Sequence, residues 1–190
     1  MNTKIIKDLM VPLEEYATVS QDATMYEVIH ALEDAQEKMD ANRYKYLHRG
    51  VLVYDENNKI IGKCGQLDIL RGLEPKYKGM GDPAVLARAG FSIDFLHSMM
   101  DQYSLFSSTI EAVCDKAKSM KVRDFMVTPS EYDYVEESAS LNVAVHFMVM
   151  GHLQSLLVTR AEKLVGILRL TDVFMEIFQK MENCCFVNDI

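Results

Sequence analysis

Hydrophobic positions in the first third of the chain follow two different periods. After the capping-box sequence Thr24-Met-Tyr-Glu27, apolar residues recur at helical spacing, so a helix is predicted to begin there. Two short runs rich in β-branched residues, 50–54 and 59–64, flank a cluster of turn-forming residues at 55–58, which predicts a β-hairpin. A second helix is expected after the hairpin. The apolar residues of the first helix are Met25, Val28, Ile29, Leu32 and Met39.

The same pattern occurs twice in the chain. Residues 8–32 align without a gap to residues 124–148, and residues 52–70 align in the same way to residues 156–174. Chance would not give both matches in the same order, so the sequence predicts an α+β fold of two β-α-β-β-α repeats. Because helices over one face of a sheet leave the other face exposed, we expect the repeats to pack sheet to sheet. Identical pairs include Asp8 and Asp124, Met10 and Met126, Tyr16 and Tyr132, His30 and His146, Gly62 and Gly166, and Asp68 and Asp172.

A long connection separates the two repeats. We assign residues 1–73 to the first repeat, residues 74–121 to a helical insert, residues 122–183 to the second repeat and residues 184–190 to a C-terminal tail. The first repeat also carries an additional polar stretch, residues 33–50, where the second repeat has only a short segment. A longer helix and loop would account for this stretch.

The insert has the hydrophobic pattern of helices. Asp82 and Pro83 suit a helix start, and Ser92 can cap a later helix. Two apolar stripes at helical spacing follow. The stripes fit either a homodimer interface or the core of the monomer, and the sequence leaves both interpretations open. The first stripe is Ile93, Leu96, Met100 and Tyr103, and the second is Ile110, Val113, Ala117 and Met120.

Composition and charge narrow the function classes. Hydrophobic residues make up 49% of the chain and charged residues 25%, which is typical of a soluble globular protein. The net charge of -8 disfavours a nucleic-acid surface, because phosphate contacts draw on clustered Lys and Arg. No apolar stretch is long enough to span a membrane, and the N-terminus lacks the apolar core of a signal peptide. A cytoplasmic protein without a membrane partner is therefore expected.

The sequence offers few candidate catalytic or metal-binding residues. It contains no Gly-x-Ser-x-Gly elbow, no Gly-rich phosphate loop followed by Lys and no His-Glu-x-x-His helix, so a non-catalytic role is predicted. His30 and His146 occupy equivalent places in the repeats and are expected to be buried or boundary residues rather than a ligand pair. The cysteines lack metal-ligand spacing and are expected to be reduced, without a metal site. They are Cys64, Cys114, Cys184 and Cys185.

Two short motifs occur in order in each repeat. A D-h-M motif, where h is apolar, stands at residues 8–10 and 124–126, and a G-h-h-[ST]-x-x-D-h motif, degenerate at its hydroxyl position, stands at residues 62–69 and 166–173. In both motifs and their order the chain resembles tandem CBS-domain pairs, also called Bateman modules. The resemblance implies two clefts between the repeats that accept an adenosine-containing ligand, for which AMP, ADP, ATP and S-adenosylmethionine are candidates. It also implies a homodimer.

The resemblance further implies roles for residues of the closing motif. Its Asp, here Asp68 and Asp172, would bond the ribose hydroxyls, and a Ser or Thr three residues earlier would contact phosphate. This chain has Gly65 and Arg169 at those hydroxyl positions. Gly65 offers only a backbone N–H, whereas a guanidinium can bind phosphate oxygens bidentately. We therefore favour the cleft of Arg169 and Asp172, which also contains Gly166 and Thr171.

Structural roles for the same residues stay open. Asp68 and Asp172 both stand where a helix is predicted to start, so each could simply cap a helix. Arg169 could be a solvated strand residue or the partner of a neighbouring carboxylate.

Two functions are consistent with these features. The first is a regulatory module that senses a nucleotide and passes a conformational change to an effector protein. The alternative is an oligomerisation or interaction scaffold without a small ligand, in which the helical insert is the functional surface.

Overall fold

Each repeat folds as a strand, a helix, a hairpin and a closing helix. The computed structural model describes residues 5–40, 46–74, 76, 90, 92–104 and 109–185, with side chains as far as residue 182. Strands are β1 (Val11–Pro12), β2 (Thr18–Ser20), β3 (Gly50–Tyr54), β4 (Ile60–Gly65), β5 (Tyr134–Glu136), β6 (Ser155–Arg160) and β7 (Lys163–Arg169). Helices are α1 (Met25–Glu37), α2 (Gln66–Leu73), α3 (Ile93–Tyr103), α4 (Ile110–Ser119), α5 (Leu141–Gly151) and α6 (Leu170–Cys185).

The helix starts follow from local hydrogen bonds. Thr24 accepts a bond from the backbone N–H of Glu27 at 3.2 Å, and the Glu27 carboxylate accepts one from the backbone N–H of Thr24 at 2.6 Å, which completes the predicted capping box of α1. Ser92 caps α3 through the N–H of Phe95 at 3.2 Å. The predicted helix start at residues 82 and 83 lies outside the described residues.

The two sheets pack face to face, as the sequence predicts. The first sheet has the order β2-β3-β4 and the second the order β1-β7-β6-β5. In both sheets a parallel strand pair adjoins an antiparallel hairpin. A buried cluster with members from both repeats joins the sheets, which keeps their inner faces from water. Its members are Val11, Tyr16, Leu52, Leu157 and Ile167.

The opening segments of the two repeats are exchanged. Strand β1 pairs with β7 of the second repeat, with Val11 opposite Ile167. Reciprocally, the backbone of Val127 exchanges two hydrogen bonds of 2.8 and 2.9 Å with Lys63 of the first repeat. Fully buried Ile6 packs in the core of the second repeat, while Val122 packs in the core of the first. Each repeat therefore completes the core of the other.

The strand pairing corrects one detail of the repeat alignment. Val53 lies opposite Gly62, and Val158 lies opposite Gly166. In the gap-free alignment Val53 would match Leu157, so this strand is shifted by one residue. The hairpin connections cause the shift, because eight residues separate Val53 from its partner Gly62, whereas seven separate Val158 from its partner Gly166. In the shorter connection Ala161 and Glu162 both have positive φ.

Part of the insert belongs to the monomer core. Helix α4 lies against α1 and α2, and Ala117 within it and Met120 directly after it pack on the first core cluster. The Lys116 ammonium donates to the carbonyl of Leu73 at the end of α2, at 2.7 Å. The apolar stripe of α3 is exposed instead, with Ile93 at 72%. The two stripes thus have different surroundings.

The equivalent histidines are not buried. His30 and His146 are both exposed, which contradicts the expectation of buried or boundary residues, because each points away from the buried side of its helix. Among the described cysteines, Cys64 and Cys114 are free, and burial, with the nearby Asp68 charge, raises the pKa of the Cys64 thiol to about 12. Cys64 is therefore unreactive.

Two features are absent from the part of the chain that the structure describes. No described helix has the length and apolarity that a membrane crossing demands. No His, Cys, Asp and Glu side chains in the described parts of the chain cluster closely enough to hold a metal ion.

We expect Gly166→Ala to destabilise the chain much more than Gly62→Ala at the equivalent position. A β-carbon on Gly166 would stand 2.5 Å from the backbone oxygen of Val11 and would push β1 from β7. A β-carbon on Gly62 would meet the flexible thioether of Met126, which can move aside. Urea unfolding should show a loss of about 2–3 kcal/mol for Gly166→Ala. Equal losses for the two variants would contradict the exchanged pairing.

Candidate ligand clefts between the repeats

Arg169 and Asp172 form a buried ion pair where β7 meets α6. The Arg169 Nε donates to Asp172 Oδ2 at 2.5 Å, and Nη2 donates to Oδ1 at 2.7 Å, which is bidentate geometry. Arg169 is only 4% exposed. The sequence interpretation of a solvated Arg169 is therefore wrong, and the pairing with a carboxylate is confirmed. The Asp172 carboxylate is directed to this arginine.

The same guanidinium also contacts the first repeat. Arg169 Nη1 donates to the backbone oxygen of Tyr46 at 2.9 Å and lies 3.2 Å from Nδ1 of His48. Arginine has no acceptor, so His48 Nδ1 accepts and its proton is on Nε2. Burial and, to a smaller extent, the charge of Arg169 lower the pKa of His48 to about 4, so the imidazole is neutral. Arg169 thus links the two repeats.

Other side chains hold the segment of Tyr46 and His48 in place. The Tyr16 and His48 rings meet edge to face, with centroids 4.7 Å apart. The Gln36 amide donates to the backbone oxygen of His48 at 2.7 Å, and the Tyr46 hydroxyl donates to the sulfur of Met175 at 3.2 Å. Burial raises the pKa of the Tyr16 hydroxyl to about 12.

The corresponding residues of the first repeat are arranged differently. Asp68 accepts a hydrogen bond from the backbone N–H of Gly65 at 2.9 Å and so caps α2. Arg71 lies 3.4 Å from the other oxygen of Asp68. The helix-capping role of Asp68 is confirmed, whereas the Asp172 carboxylate is instead directed to Arg169. A β-carbon on Gly65 would meet only ordinary contacts, so this glycine is not required by crowding.

A second ion pair links the repeats near Gly65. The ammonium of Lys63, on β4, pairs with the carboxylate of Asp133, just before β5, and also lies 3.4 Å from the Ser155 oxygen. Burial by itself would raise the pKa of Asp133, but hydrogen bonds from Lys63 and Ser130 lower it overall. Asp133 is therefore ionised and held between two repeats.

Comparison with known protein families identifies the repeats. The family model described as "CBS domain" matches residues 6–74 and 122–179. The chain belongs to the CBS domain family. Its general function is that of a CBS-domain regulatory module. A search of curated proteins finds no match.

Solved structures share the fold of this CBS-domain chain. A crystal structure of CBSX2 in complex with AMP aligns with a TM-score of 0.55 and 18% identity, over 93% of this chain and 97% of that one. The CBS domain of a membrane protein from Sphaerobacter thermophilus aligns at 0.58 and 19%, over 91% and 87%. A CBS domain-containing protein of unknown function from Bacillus anthracis aligns at 0.59 and 15%, over 93% and 94%. At these identities the likeness concerns the fold.

The closing motifs of the two CBS repeats have different surroundings. Tyr16 is 9% exposed beside Arg169, whereas Tyr132, its counterpart in the sequence repeat, is 72% exposed. Gly166 is buried against β1, and Thr171 is half-buried in the first turn of α6. Sequence analysis missed Tyr46, His48, Lys63 and Asp133 as interface residues. The sequence did contain one indication of Tyr46 and His48, namely the additional stretch at residues 33–50. This stretch places both residues next to Arg169.

A groove of about 630 Å³ opens beside the buried Tyr16. Residues 14–18 form one side and the C-terminal half of α1 and the residues after it form the other. Its size suits a small organic molecule. Acidic side chains outnumber basic ones in its lining, which disfavours the phosphate end of a ligand there. The charged lining residues are Glu14, Glu15, Asp34, Lys38 and Asp40.

Proposed function

We propose that this CBS-domain chain is a sensor that binds an adenosine-containing nucleotide between its repeats, beside Arg169 and Asp172. The observation that carries the proposal is the buried guanidinium of Arg169 at the boundary between the repeats. Its Nη1 group donates hydrogen bonds away from the Asp172 carboxylate, toward the first repeat, and such donors suit a phosphate oxygen in a chain of net charge -8. The structurally similar CBSX2 was crystallised with AMP, which supports an adenine nucleotide as the ligand class.

Each residue of the closing motif has a role in this proposal. Asp172 bonds the ribose hydroxyls, and Arg169 binds the phosphate in place of the usual hydroxyl. Gly166 and Thr171 flank them in the same motif. Asp68 and Gly65 form the equivalent, weaker site, because Gly65 has no side-chain donor and its backbone N–H already bonds Asp68.

The proposed signal is a change in the contacts between the repeats. Arg169 bonds both its own repeat and the first, so a ligand that engages its guanidinium changes how the repeats are joined. An effector protein that contacts both repeats would sense this change. We further propose that the protein is cytoplasmic, since the free thiol of Cys64 suits a reducing compartment. We also propose that it forms a homodimer.

Calorimetric titration with AMP, ADP, ATP and S-adenosylmethionine tests the ligand class. We expect at least one of them to bind with a dissociation constant below 1 mM, roughly -4 kcal/mol. Asp172→Asn should weaken that binding at least tenfold, while the matched Asp68→Asn leaves it nearly unchanged. Circular dichroism checks that both variants are folded. No heat with any of the four at millimolar concentration would overturn the proposal.

A ligand-free scaffold is the second candidate, favoured by the exposed stripe of α3. Ile93 is 72% exposed, and Leu96 and Met100 are each 49% exposed. Because α4 packs in the core, deletion of the whole insert would damage the monomer. The double variant Ile93→Asp/Leu96→Asp is the cleaner test. If the stripe is a homodimer interface, light scattering after gel filtration should show the wild type as a dimer and the variant as a monomer.

A further inference from the structure

Arg169 is occupied by acceptors from the chain itself. Its Nη1 donates to the backbone oxygen of Tyr46 at 2.9 Å and to Nδ1 of His48 at 3.2 Å. Phosphate oxygens are acceptors of the same hydrogen bonds. A nucleotide phosphate and these two acceptors therefore compete for one side of the guanidinium.

The competing segment comes from the place where the repeats differ in length. Tyr46 and His48 belong to the stretch 33–50, for which the second repeat has only residues 149–154. Lys63 on β4 also points toward the other repeat. Its partner is the carboxylate of Asp133, next to β5, and not a segment like residues 46–48. The arrangement around Arg169 is thus specific to one of the two clefts.

Several weak contacts hold the segment, and none of them is covalent. The Gln36 amide bonds the His48 carbonyl at 2.7 Å, the Tyr46 hydroxyl reaches Met175 at 3.2 Å, and the His48 ring meets Tyr16. A neutral hydrogen bond contributes on the order of 1 kcal/mol. Such contacts can be exchanged for bonds to a charged phosphate, which are stronger.

We propose that residues 46–48 form an internal latch that mimics the phosphate at Arg169 and must be displaced for the nucleotide to bind. This inference rests on the proposed function and adds a mechanism of regulation to the same cleft. The latch selects for ligands that carry phosphate, because adenosine has only neutral hydroxyl and ring oxygens, which are weaker acceptors for a guanidinium than phosphate oxygens are. Release of the latch also breaks the bonds of Arg169 to the first repeat, which couples occupancy to the joint between the repeats.

Chemical labelling tests the latch without any nucleotide. Phenylglyoxal modifies accessible arginines, and peptide mass mapping measures the rate at Arg169, with exposed Arg160 as the reference in the same sample. We expect His48→Leu to raise the rate at Arg169 at least fivefold. Gln36→Ala, which frees the His48 carbonyl and leaves the cleft itself intact, should raise it about twofold to threefold. His152→Asn, at an exposed histidine with positive φ that Asn tolerates, should leave it unchanged.

Nucleotide binding to the same variants separates the latch from the proposed function. We expect His48→Leu to bind AMP at least tenfold more tightly than the wild type, and AMP to protect its Arg169 from labelling. If Arg169 stays protected in both His48→Leu and Gln36→Ala while AMP binds the wild type, the latch is wrong and the proposed function stands. If Arg169 becomes reactive but AMP neither binds nor protects, residues 46–48 do shield Arg169, but the proposed nucleotide site fails and the segment is not a latch for nucleotide. Should His48→Leu not fold, Gln36→Ala decides both questions.

Discussion

Arg169→Met is expected to lower the free energy of unfolding by about 3–5 kcal/mol, the usual loss when one partner of a buried ion pair is removed. The carboxylate of Asp172 would remain without its bidentate partner, and the acceptors of Tyr46 and His48 would lose the guanidinium. Both losses fall on the boundary between the repeats. The measurement is urea unfolding followed by circular dichroism, because the chain contains no tryptophan.

Two further variants make this prediction specific. Arg160→Met breaks an equally short pair with Glu137, but on the surface, where solvent screens the charges, so it should change stability little. Arg169→Met/Asp172→Leu leaves neither charge of the pair and should recover part of the loss. An Arg169→Met variant as stable as Arg160→Met would show that Arg169 does not join the repeats.

Stability should fall as the pH drops from 7 to 5, and His48 should account for about 1–2 kcal/mol of the fall. The folded pKa of about 4 lies below the ordinary value of 6.5, because burial and Arg169 oppose protonation. The unfolded chain therefore takes up a proton in this window that the folded chain does not. The contribution of neutral His48 to the free energy of unfolding is complete above pH 6.5 and is lost as pH falls toward 4. The charges of Asp172 and Glu15 raise the pKa of His48, but burial and Arg169 lower it by more.

The control for the pH prediction is His48→Gln. Glutamine can still offer an acceptor to Arg169 but does not titrate, so the variant should lose less stability between pH 7 and pH 5. Urea midpoints at both pH values measure the difference. Below about pH 4.5 the carboxylates with lowered pKa, including Asp133, also lose their contribution, so comparison above that pH isolates the histidine. Identical pH dependence in both proteins would contradict a buried neutral His48.

Local patterns in the sequence predicted the helix starts and the hairpins, and the repetition of these patterns predicted the packing of the sheets. The capping box at Thr24 and the cap at Ser92 depend on residues three positions apart, so their spacing predicts them. The role of Asp68 in capping α2 is of the same kind. Repetition then predicted that each sheet covers the other, because a single repeat leaves one face exposed.

Interactions between distant residues left no such pattern. Val11 pairs with Ile167, and Lys63 pairs with Asp133, yet neither pair is recognisable from spacing. His48 stands in a polar stretch that has the composition of a surface loop, although the side chain is buried in the fold. The preference for the Arg169 cleft rested on the charge of a single side chain, and the segment that reaches it could be located only in three dimensions.

The exchange of opening segments has a consequence for synthesis on the ribosome. The core of the first repeat includes Val122 and Phe125, which are translated long after its own strands. Until those residues emerge, the nascent first half lacks part of its interior and keeps apolar surface available to chaperones. Contacts of such long sequence separation also slow the final collapse. We therefore expect the chain to fold as one cooperative unit rather than as two halves in succession.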